Sequence, residues 1–176
     1  MVTQWTRARD VLKHRLDAVF GDSFSPLYEG IQAPRVYLGF PVTEPPFYAA
    51  VDEIVDTAET GGAVSMGHDT VNFTIRVWLC AQHTDLKTAS DALLAYIDAV
   101  FGSIMADPQL NMSVDNSFPS IEAAGTAADS SKRYIAAASV AVACSAWSAC
   151  PASLAEAVAQ SNEDFDEGEE DESQGD

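Results

Sequence analysis

The sequence predicts an α+β fold, a mainly antiparallel sheet of about four to five strands with two amphipathic helices packed on one face. Three observations predict it. Residues 70–79 alternate strictly, with Val71, Phe73, Ile75, Val77 and Leu79 facing one way and Thr70, Asn72, Thr74, Arg76 and Trp78 the other, the mark of a strand with one covered face. Residues 4–20 and 84–104 instead carry apolar residues at steps of three and four, the helical period. The order is therefore helix, strands, helix, strands, which segregates helices from a sheet of neighbouring strands.

The elements follow in order. In the first helix, Trp5, Ala8, Leu12, Leu16, Val19 and Phe20 form the apolar stripe, with Thr3 as cap and Gly21 as stop. Residues 22–34 read as irregular, and Arg35 to Phe40 as a short strand ended by Pro41, Pro45 and Pro46. Tyr48 to Glu59 reads as a longer strand whose Asp52, Glu53, Asp56 and Glu59 suggest an exposed or edge position. It forms a hairpin with 69–80 across a glycine-rich connection. Thr84 caps the second helix, Asp85 sits near its positive end, and Pro108 limits it. Leu86, Leu93, Ile97, Val100, Phe101 and Ile104 form its stripe. Extended segments are expected over about 110–122 and 132–147, joined by a small polar loop, 123–131. The second is so rich in alanine that its surface suits close packing, for example by a helix.

Charge divides the chain in two. Nine basic residues face 27 acidic ones, a net −18. Nine of the acidic residues lie between Glu163 and Asp176, where no basic residue occurs, so the body without them carries −9. Residues 1–150 are read as the α+β domain. Residues 151–176 are read as a C-terminal extension, acidic and disordered when free from 163 onward. The negative sign disfavours direct phosphate binding, which relies on Lys and Arg. No run of 18 apolar residues occurs, and residues 1–9 lack the apolar core of a signal peptide.

No constellation for turnover is found, so an enzyme is not expected, nor a metal or other cofactor. His14, His68 and His83 share no ligand spacing, and Cys80, Cys144 and Cys150 form no CxxC. The cysteines read as buried, reduced small hydrophobes. No P-loop, dinucleotide fingerprint or GxSxG elbow is present. Two charged groups stand out as interaction candidates. Arg7, Arg9, Lys13 and Arg15 share the polar side of the first helix, read either as a solvated face or as a contact for an acidic neighbour. Asp52, Glu53 and Asp56 crowd one strand, read as a solvated acidic strand before a cation site.

The stretch Thr70-Val-Asn-Phe-Thr-Ile-Arg-Val-Trp-Leu-Cys-Ala, followed by a polar turn and the helix 84–104, resembles the tail-terminator and tail-completion proteins of long-tailed (siphovirus-type) bacteriophages. The amino-terminal helix, Pro34-Arg35-Val36-Tyr37-Leu38, and the late strand opened by Lys132-Arg133-Tyr134-Ile135-Ala136 fit the same pattern. The resemblance covers about residues 5–147. It implies a ring, usually six-fold, at the head-proximal end of the tail tube, which ends tube polymerisation and joins the tail to the head connector. The implied partners are copies of the chain itself, the tail tube protein and the head–tail connector protein. DNA would pass through the lumen without specific binding, and no membrane is involved. The resemblance places the protein in the virion neck after assembly in the host cytoplasm. A head–tail adaptor and a tube-like subunit share this small build. A more distant alternative is an acidic inhibitor that imitates DNA.

Overall fold

The computed structural model describes residues 4–43, 45–56 and 68–149; the extension 151–176 lies outside the described residues. The elements are α1 (Gln4–Val19), α2 (Phe24–Leu27), β1 (Arg35–Leu38), β2 (Phe47–Asp56), β3 (His68–His83), α3 (Leu86–Ala106), β4 (Asn116–Ala128) and β5 (Tyr134–Ala149). The five strands form one sheet in the order β1-β2-β3-β5-β4. β1 runs parallel to β2, and every other neighbour is antiparallel.

β3 organises the sheet. Its sixteen residues pair along their whole length with β5 and, from Thr74 to Ala81, with β2. Phe73, Ile75, Val77, Leu79 and Ala81 point to one face and are buried. Ala49 and Val51 of β2 and Ala136, Ala138, Val140, Val142 and Cys144 of β5 join them in one core. α1 and α3 cover this face. α1 contributes Ala8, Leu12 and Leu16, and α3 contributes Ala92, Tyr96, Val100 and Ile104. Trp5 stacks on Phe73 at 5.9 Å between ring centroids. Phe20, Phe24 and Tyr96 meet edge and face where the two helices converge. The Tyr96 hydroxyl donates to the Gln32 carbonyl at 2.6 Å, which ties the loop after α2 to α3.

Alanine disfavours strands by propensity, yet β5 is a central strand. Pairing on both sides overrides the local preference, and small side chains at 136 and 138 let α3 pack close, as the alanine-rich surface suggested.

β1 pairs with β2 over 48–51 only, so among the described residues the acidic half of β2 has no strand on its outer side, as its acidic residues suggested. The chain after β1 returns to place Phe40 on Trp78. Three expectations are corrected. The cap of α3 is Asp85, whose carboxylate accepts from the Thr88 N–H at 2.8 Å; Thr84 precedes it. The fourth strand starts six residues later than 110 and runs through the expected loop to Ala128, because Ala-Ala-Gly-Thr-Ala-Ala finds a paired partner in β5. Within 22–34 there is a helical turn, α2, where Phe24 is buried against Phe20 and Tyr96.

Position in the sheet, more than hydrophobicity, sets the cost of truncation. Ile75→Ala, at the fully buried centre of β3, is expected to lower unfolding free energy by about 2–5 kcal/mol. Ile121→Ala, half-exposed on the edge strand β4, is expected to lower it by less than about 1 kcal/mol. Urea denaturation of the two variants checks the difference.

Candidate functional site

No catalytic cleft was expected from the sequence, and the surfaces are the place to look for function. α1 carries the first candidate group. Arg9 pairs with Asp10 at 3.1 Å, Lys13 with Asp17, and Arg15 with Asp107. Arg15 also donates to the carbonyls of Ser103 and Asp107 at 3.2 and 3.0 Å. It thereby satisfies carbonyls left open at the end of α3 and places a cation at the helix's negative pole. Arg7 is exposed beside His14 on the rim of an open hollow. The four basic residues therefore do not form one open face, since three of them hold carboxylates of the chain itself.

The second candidate group lies on β2. Asp52, half-buried, accepts from the Trp78 Nε1–H at 3.2 Å. Glu53 and Asp56 follow on the same strand, and their side chains lie outside the described residues. Among the described residues no group of three or more His, Cys, Asp or Glu is placed to hold a metal ion. Cys80 and Cys144 are both buried. Burial pushes the Cys144 thiol up to about 12, which leaves it protonated and unreactive.

The arrangement that sequence reasoning missed is on the sheet face opposite the helices. There Asp52, Trp78, Arg76, Glu122 and Ser139 form a continuous polar line across four strands. The Arg76 guanidinium grips Glu122 with two bonds, Nε–Oε2 at 2.7 Å and Nη2–Oε1 at 3.1 Å. The Ser139 hydroxyl donates to the same carboxylate at 2.7 Å. The guanidinium lies 5.7 Å from the Trp78 ring, and Phe40 contacts that ring at 5.5 Å. Tyr48, Ala50 and Cys80 are buried beneath this aromatic group, with Tyr37 and Ile135 packed on them. Arg76 and Trp78 were readable as partners on the outward side of the alternation. Glu122 was not, because its pairing with Arg76 is set by the long-range register of β4 on β5, where a shift between Ile121 and Ala123 makes it the extra residue of a β-bulge.

Beyond the bulge, β4 presents its free edge. Residues 120–128 are all exposed, and 123–128 hold no charge and no proline. On the outer face, Trp78, Ala123, Gly125, Ala137 and Ser139 line a shallow hollow of about 230 Å³. At the closing turn Lys132 and Arg133 are exposed. The surface as a whole offers an aromatic cluster, a fixed ion pair, a hollow and an open edge, which are the parts of a docking face.

No protein-family model matches the chain, and no curated protein matches it either. Among solved structures, one similar chain belongs to a structure described as the virion of a native gene transfer agent (GTA) particle. The TM-score is 0.45 at 11% identity, over 78% of this chain and 93% of that one.

The Arg76 hydrogen bonds, then that of Ser139, hold the Glu122 carboxyl below its ordinary value of 4.5. A lowered carboxyl contributes stability above its unfolded value and loses it as pH falls through the folded one. Glu122→Gln is therefore expected to lower unfolding free energy by about 0.5–1 kcal/mol at neutral pH, an amount set by the pair's partial exposure. The difference should shrink as pH falls below the ordinary carboxyl value of 4.5. Denaturant unfolding of both chains across pH 3–7 checks it.

Proposed function

We propose that this chain is a structural subunit of a long-tailed phage particle, of the tail-terminator kind. Copies of it close into a six-fold ring at the head-proximal end of the tail tube, end tube growth and meet the head connector. The observation that carries the reading is the half-covered sheet: helices close one face, while the other keeps Phe40, Trp78 and the Arg76–Glu122 pair at the surface beside a 13-residue edge strand. Exposed edges of this length are normally blunted or covered, and a subunit completed by its neighbours covers them. The sequence resemblance over residues 5–147 supports the same reading. A heterologous contact that closes by rotation makes a ring and leaves one new face on each side.

Under this reading the lumen faces DNA, and the body's charge of −9 keeps phosphate from adhering. The acidic extension keeps subunits apart before assembly, an effect that salt screens.

Two measurements test the proposal. Electron microscopy of the purified chain is expected to show closed rings, and adding them to growing tail tubes is expected to stop elongation. Rings that bind the head's portal and leave tube growth unchanged would make the chain an adaptor instead. Truncation after Asn162 is expected to raise the fraction in rings at low ionic strength and to leave it unchanged at high salt. Equal assembly of both chains at every ionic strength would remove the role assigned to the extension.

A further inference from the structure

The segment after α3 concentrates local cost. Leu110, Asn111 and Met112 all have positive φ, at 45°, 53° and 59°. Left-handed backbone costs a residue with a Cβ about 1–2 kcal/mol, least for Asn. The next residue, Ser113, is buried, and its hydroxyl has no hydrogen-bond partner, a second unfavourable feature within four residues.

Strain of this kind persists only where the surroundings enforce it, and here they do. Leu110 is fully buried as an anchor. The Asp107 carboxylate accepts from the backbone N–H groups of Gln109 at 3.2 Å and Asn111 at 2.9 Å. Arg15 holds that same carboxylate from α1. The product of this enforcement is Met112, which is 84% exposed. A polar residue or glycine at this place would suit both the backbone and the solvent.

Met112 follows in sequence an apolar crest on α3. Leu94 and Met105 are largely exposed there, and Phe101 between them is partly buried against the core. On length and composition α3 would pass for a membrane span, yet half of its most apolar stretch is buried in the protein. A helix apolar on both sides calls for cover on both. Asp91 and Asp98 flank the crest, which is the wrong sign for attraction to an anionic lipid surface.

The geometry points to a second copy of this chain as the cover: the Met112 end of the crest enters the hollow of a neighbour between Trp78, Ala123, Gly125 and Ala137. This names the two faces that meet in the proposed ring and rests on that reading. Three features fit. A flexible thioether fills an irregular hollow well and gains from the edge of an indole ring. Charge is complementary, because Asp115, exposed three residues after Met112, is in no ion pair among the described residues. Lys132 and Arg133, exposed in the turn that joins the two strands lining the neighbour's hollow, are in none among them either. Finally, Met112 is not among the residues that line the hollow, so knob and hollow are different patches and each copy uses one of each. That makes the contact head-to-tail and able to close.

Two substitutions remove one partner each without harm to the fold. Met112→Gly deletes the knob at a position whose φ favours glycine. Gly125→Val fills the hollow where an added Cβ meets nothing within 4 Å. Each purified variant is expected to melt no lower than the parent chain and to assemble at least about tenfold more weakly in sedimentation equilibrium. An equimolar mixture of the two is expected to give dimers and nothing larger, because only one productive contact remains. Variants that form rings like the parent chain would overturn this pairing and leave the ring reading standing. A parent chain that stays monomeric at every concentration would overturn both. Binding to phosphatidylcholine vesicles that Met112→Gly abolishes would assign the crest to lipid and overturn the pairing.

Discussion

The whole arrangement depends on the two-sidedness of β3. One strand, sixteen residues long and with its large aliphatic residues on alternate positions, sits between β2 and β5 and gives the sheet its main apolar face. Both long helices are spent on that face, and Leu12, Leu16, Tyr96, Val100 and Ile104 bury themselves against Ile75, Val77 and Leu79. Among the described residues no third long helix remains for the reverse side. That side stays upright by other means: an aromatic group over Tyr48, Ala50 and Cys80, and an ion pair strapped across β5 from β3 to β4.

Much of the fold was legible because period reveals burial. The alternation at 70–79 and the helical stripes of α1 and α3 reported the dry face directly, and the hairpin of β2 with β3 followed from their adjacency. What escaped depended on pairing with distant residues. The acidic residues of β2 marked the half of that strand that β1 leaves uncovered, whereas the parallel addition of β1 to 48–51 had no local signal. The alanines at 123–128 look like a loop in isolation and become strand only because β5 lies beside them. The left-handed turn at 110–112 has no signal at all, since Leu and Met are poor choices for it and tertiary anchors impose it.

The candidate surfaces divide in the same way. Arg7, Arg9, Lys13 and Arg15 were visible as a basic helix side, but their carboxylate partners Asp10, Asp17 and Asp107 were not separable from the general acidity of the chain. Asp52 was visible as one of an acidic trio, while its service to the Trp78 indole was not. Glu122 could not be found because its pairing with Arg76 is set by the long-range register of β4 on β5. The proposed function therefore rests on features that local pattern cannot encode: a bulge, a strained turn and an uncovered edge.

The bulge at Glu122 has a further effect on how β4 tolerates change. Before it, odd-numbered positions such as Ser117 and Pro119 point toward the helices; after it, Ala123 and Gly125 point away from them. The strand thus switches phase midway, and one continuous ribbon serves the interior with its first half and keeps both sides of its second half accessible. Substitutions across the family of possible sequences should obey opposite parity on either side of residue 122. A single-residue deletion there would restore uniform alternation and leave Ala123 and Gly125 on the outer face, opposite Ser139 and Ala137.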